Sequence, residues 1–68
     1  MIDITKLTEK DKGRWVEYVT PSGSKELGKL KSWNDYVIFV VYDCNIKWVK
    51  YKDYTACGTH PDNLSFTE

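Results

Sequence analysis

The chain has 68 residues, of which 29% are charged, and its ten basic side chains balance ten acidic ones. That length holds one domain, residues 1–68, and an apolar share of 41% excludes a disordered chain. A net charge of zero argues against strong non-specific nucleic-acid binding, and no apolar run approaches the roughly 18 residues that cross a membrane.

Residues 1–13 predict a brief helical turn or an irregular arm. Thr8 to Asp11 resembles a helix-starting cap, and Gly13 stops it. Ile2, Ile4 and Leu7 are expected to fold back onto the core. The opening Met1–Lys6 lacks a basic segment followed by an apolar one, so a cytoplasmic protein is expected. Its two cysteines, Cys44 and Cys57, then read as free thiols.

Arg14–Val19 alternates and is rich in β-formers, which predicts the first strand, with Val16 and Tyr18 on one face and Trp15, Glu17 and Val19 on the other. Thr20–Ser24 carries Pro and Gly and predicts a turn. Glu26–Ser32 predicts the second strand, where Gly28 suggests a bulge or sharp bend. Trp33–Asp35 reads as a turn, and Tyr36–Tyr42, apolar throughout, as the third strand.

Asp43–Asn45 predicts another turn, and Ile46–Tyr51 a strand or a wide loop. Tyr54–Thr59 predicts a strand, Pro61–Leu64 one helical turn, and Leu64–Phe66 a last short strand. Five short strands without a long helix predict an all-β fold, a small five-stranded antiparallel barrel, which also removes exposed sheet edges.

Three runs carry a resemblance: Gly13–Tyr18, Glu26–Asp35 and Ile38–Tyr42, joined by the ending Tyr54–Phe66. Over residues 12–66 the chain resembles small phage and prophage proteins with a Src-homology-3-like (Tudor-like) barrel. Tyr36 and Val41 depart from the more polar pattern of these relatives. The resemblance implies a viral or mobile origin, a cytoplasmic accessory role toward a host protein, and no catalytic residues or cofactor to transfer.

Catalysis is weighed first. Cys57 and His60 have a spacing that permits a nucleophile–base pair, with Asp62 or Asp53 as orienting group, yet a barrel this small rarely encloses a water-excluding pocket. The competing reading makes Cys57 a small core residue. Zinc would recruit Cys57, His60 and Cys44, but the two paired knuckles of a structural site are missing, so no metal is expected. Ser22–Ser24 is turn material rather than a phosphate cradle.

The rings remain. Three tryptophans, five tyrosines and two phenylalanines make up 15% of the chain, and each ring carries about 150–250 Å² of surface. More ring surface is present than so small a core can enclose. Trp15, Val37, Phe39 and Val41 fall on the non-core faces of the first and third strands, as a candidate partner-binding patch. Residues 1–8 or the segment around Trp48 could instead cover it. Lys47, Trp48, Lys50 and Tyr51 interleave cations with rings, the pattern that stacks bases and holds phosphates, although such a tryptophan often lids a core.

The sequence therefore favours a non-enzymatic module that docks an aromatic face on a host protein or on itself. A nucleic-acid binder using residues 47–51 is the alternative, and an oligomeric sponge for small nucleotides is a third.

Overall fold

A computed structural model describes residues 1–42 and 48–67, the side chains of Trp48 and Val49 excepted. Its frame is one antiparallel sheet: β1 (Trp15–Val19), β2 (Lys25–Trp33), β3 (Ile38–Val41), β4 (Cys57–Thr59) and β5 (Leu64–Phe66). They lie in the order β4-β3-β2-β1-β5. The all-β prediction holds, and the helical pieces are short 3-10 turns, the longest Trp48–Asp53. Hydrogen bonding between strands ends at β4 on one side and β5 on the other, so the sheet itself is open.

The first hairpin is fixed by its turn. Gly23 has φ +91°, a left-handed conformation that costs glycine little. The Thr20 amide donates to the Ser24 carbonyl at 2.8 Å, and Thr20 Oγ1 accepts from the Ser24 amide at 3.0 Å. This pins the register that sets Tyr18 opposite Glu26 and Val16 opposite Gly28. The second turn starts later than the sequence suggested. Trp33 completes β2, and Asn34 Oδ1 accepts from the Tyr36 and Val37 amides, both at 2.8 Å.

Gly28 is not the bulge. The register shift falls between Leu30 and Ser32, at Lys31. Gly28 serves a close approach instead: a Cβ there would stand 2.7 Å from Val40 Cγ1, 2.7 Å from the Val41 carbonyl and 3.1 Å from Tyr42 Cδ1. Any side chain would push β3 away.

Of the two readings of Ile46–Tyr51, strand or wide loop, the described part is no strand, and a later strand is shorter than expected. The backbone over residues 48–51 forms 3-10 turns rather than a strand, and β4 keeps only the last three residues of Tyr54–Thr59. The predicted turn at residues 43–45 lies outside the described residues. Pro61–Asn63 is the expected helical turn, starting with Pro at its first position, and His60 Nδ1 accepts from the Asp62 amide at 3.1 Å.

The core lies on one face of the sheet. Val16, Leu30, Ile38, Val40 and Leu64 have no exposed surface, and Ile2 joins them at 5%. Ile4, Leu7, Tyr18, Trp33, Tyr42 and Phe66, all partly buried, pack on this cluster. The arm is thus part of the core, as expected. Its anchors are Ile2 N donating to the Pro61 carbonyl at 3.0 Å and Met1 N donating to Ser65 Oγ at 3.2 Å.

Two acidic side chains shape the arm. Asp3 Oδ1 accepts from the Thr5 amide and hydroxyl, and Asp11 Oδ2 accepts from the Thr8 amide at 2.9 Å while Oδ1 meets Arg14 at 3.0 Å. These hydrogen bonds to the ionised form lower both carboxyl pKa values, with the Thr5 hydroxyl acting most on Asp3 and the Thr8 amide most on Asp11.

Candidate functional site

Alternation puts Trp15, Lys29 and Val41 on the face of the sheet opposite the core: Trp15 pairs with Lys29, and Lys29 with Val41. There the segment Trp48–Asp53 packs on β2. Tyr51 is 8% exposed, and Lys31 Nζ donates to the Tyr54 carbonyl at 2.8 Å, tying the segment down. The Lys29 ammonium lies 4.8 Å from the Trp15 ring centroid and 5.7 Å from that of Tyr51. Around Lys29 the outer face is covered by a cation over rings.

The predicted patch is therefore divided. Val41 is fully buried, which corrects its expected exposure: it stands opposite Lys29 on the face where the 48–53 segment packs. Trp15 is half-buried beside the Lys29 ammonium. Val37 and Phe39 remain partly accessible and sit over Gly58, where a Cβ would meet Val37 Cγ2 at 3.3 Å and Phe39 Cε1 at 3.5 Å.

Of the second predicted cluster only Lys50 and Tyr51 have described side chains. Tyr51 is buried, and a Cβ at Gly13 would stand 3.1 Å from its hydroxyl, so this ring is a packing element. Lys50 is exposed. Lys47 and the side chain of Trp48 lie outside the described residues.

A different constellation forms on the inner face, beyond the aliphatic core. The inward positions run from Val16 to Tyr18 on β1 and from Leu30 through Gly28 to Glu26 on β2, and from Ile38 through Val40 they lead to Tyr42. Because Gly28 leaves its place empty, Tyr42 closes onto β2 there. Here the inner face opens into a groove of about 360 Å³, lined by Tyr18, Glu26, Tyr42, Thr59 and His60 together with Cys57, Gly58 and Asn63.

Tyr18 and Tyr42 form the groove's aromatic pair, with centroids 5.9 Å apart and planes tilted by 56°. The Tyr42 hydroxyl shares a 2.7 Å hydrogen bond with Thr59 Oγ1, which orients the ring. Desolvation raises the Tyr42 pKa, the bond to Thr59 opposes that rise, and the charges of Tyr18 and Glu26 add to it. Glu26 is exposed, and among the described residues no lysine or arginine pairs with it.

Cys57 is an exposed free thiol on the groove's rim, not the small core residue weighed from the sequence. His60 lines the same groove, but its Nδ1 is engaged by the Asp62 amide, with the Asp62 carboxylate at 3.8 Å. Among the described residues no three His, Cys, Asp or Glu side chains cluster as metal ligands. No helix of the described residues is long and apolar enough to cross a membrane.

The groove could have been sought in the sequence. A turn over residues 20–24 sets Tyr18 against Glu26 once its centre is placed at Ser22. The approach of Tyr42 depends on the vacancy at Gly28, which no local pattern reports. Comparison with protein-family models, with curated proteins and with solved structures finds no match to this chain.

Proposed function

We propose that this chain is a non-enzymatic binding module that docks on another protein through the open tyrosine groove of its inner face. One observation carries this reading: of the nine described rings only Tyr51 is buried, and the Tyr18–Tyr42 pair lines a concavity with a carboxylate at its edge. Tyrosines that are half-buried and held by neighbours lose little freedom on contact, which suits them to interfaces. The strand order, with a 3-10 turn joining β4 to β5, supports a small Src-homology-3-like barrel as its frame. The resemblance to phage and prophage proteins makes a host protein the class of partner.

A second surface has its own support. Val37 and Phe39 are partly accessible side by side over Gly58, on the face opposite the core, and Phe39 belongs to the patch read from the sequence.

Capture from a cell lysate on immobilised protein tests both. Tyr18→Leu is expected to lose a retained protein that wild type holds, while Phe39→Asp keeps it. Loss with Phe39→Asp alone moves the interface to the second surface. A captured set that neither variant changes refutes docking by aromatic contact.

A further inference from the structure

We infer that the groove takes a single alkyl cation, the lysine ammonium or arginine guanidinium of a partner protein. This rests on the groove being the docking surface and adds the chemistry of its ligand. Three observations lead to it.

The first is the balance of charge. Glu26 is the one Asp, Glu, Lys or Arg side chain of the lining, and it lies opposite Tyr18 on the same face of the sheet. Among the described residues no lysine or arginine neutralises it, although Glu17 and Asp11 each have such a partner. A carboxylate at the lip of a partly desolvated groove favours a cation and repels a phosphate.

The second is the disposition of the rings. Aromatic faces carry negative quadrupolar potential and attract a cation within about 6 Å. Tyr18 and Tyr42 are tilted by 56° with centroids 5.9 Å apart. At that separation the rings touch each other, so a compact charge would meet the tilted pair from the groove side rather than between them. A flat nucleobase between two rings needs them parallel and further apart, so the same geometry disfavours a nucleotide.

The third is size. About 360 Å³ lies at the small end of the roughly 300–1,000 Å³ range of ligand clefts, enough for one long side chain with its adjoining peptide. The same chain uses this chemistry internally. Lys29 lies over Trp15, Lys12 over Trp33, and the Arg14 guanidinium 3.7 Å from the Phe66 centroid. Each of those rings has a cation of its own, while no such pairing involves Tyr18 or Tyr42 among the described residues.

The test is an amide-resolved NMR titration of the full chain with N-acetyl-lysine methylamide, N-acetyl-arginine methylamide, the neutral N-acetyl-norleucine methylamide and adenosine monophosphate. At least one cationic probe is expected to shift the resonances of Tyr18, Glu26, Tyr42 and Thr59 and to bind about tenfold tighter than norleucine. Glu26→Gln, an exposed strand position that leaves the core untouched, is expected to lose most of that preference.

Equal binding of norleucine and the cations, tighter binding of the nucleotide, a cation preference that survives Glu26→Gln, or no binding of any probe would each overturn the inference. The docking reading fails separately. If capture from lysate still depends on Tyr18 while the cations do not bind, the groove docks a partner of other chemistry.

Discussion

The inner face of the sheet has two ends, built from the same strands to different rules. At one end Val16, Leu30, Ile38 and Val40 are fully buried and sealed by Ile2 from the arm, and Leu64, equally buried, reaches from β5 to a place opposite Tyr18. At the other, two residues beyond Val16 on β1 and Val40 on β3 and four beyond Leu30 on β2, Tyr18, Tyr42 and Glu26 stand around an open groove, with the two rings resting on the core by one side. Gly28 marks the junction. The difference teaches that a single sheet face can divide stability from contact, with aliphatic packing at one end and ring surface left available at the other.

The largest break should come at the aliphatic end. Leu30→Ala removes a fully buried side chain and is expected to cost about 2–5 kcal/mol, a large part of the stability of so small a domain. Urea denaturation reads it directly. Gly28→Ala comes next. Its Cβ would meet Val40 and the Val41 carbonyl at 2.7 Å, and moving a backbone group in the centre of a sheet should cost about 1–3 kcal/mol. The same variant should disturb the Tyr42 resonances, because the junction holds the groove closed on that side.

A smaller effect is expected on the opposite face. Lys29→Met keeps the aliphatic stem but removes the ammonium from Trp15 and Tyr51, at about 0.5–1 kcal/mol in thermal unfolding. Binding in the groove should be unaffected by it.

The smallest effect concerns the arm. Asp3 and Asp11 have depressed carboxyl pKa values, so their contribution is complete above the ordinary aspartate value of 3.8 and is lost as pH falls through the lower folded values. Below about pH 4 the amide resonances of Thr5 and Thr8 should move. Replacement of both acids by Asn should abolish that acid-range movement.

Much of the fold could be read from the chain, for local reasons. Alternation over Arg14–Val19 assigned the faces of β1, and turn chemistry at Thr20–Ser24 closed the first hairpin as seen. Pro61 announced its helical turn. What escaped was non-local. The bulge at Lys31 arises from pairing with β3, and the roof of Tyr51 and Lys29 depends on a segment some twenty residues away from β2. Val41 read as exposed because the strand pattern shows which face it occupies, not what lies over that face. The tyrosine groove was hidden for the same reason. It needs the register of one hairpin and an empty place in another strand, both set by tertiary packing.

The division between the two ends of the inner face is tested most directly by the unfolding free energy of Tyr18→Leu, measured by urea denaturation beside Leu30→Ala. The structure predicts a loss of about 1 kcal/mol for the tyrosine, the worth of one aromatic pair, against several times that for the leucine. A loss at Tyr18 equal to that at Leu30 would place this ring in the structural core and contradict the account.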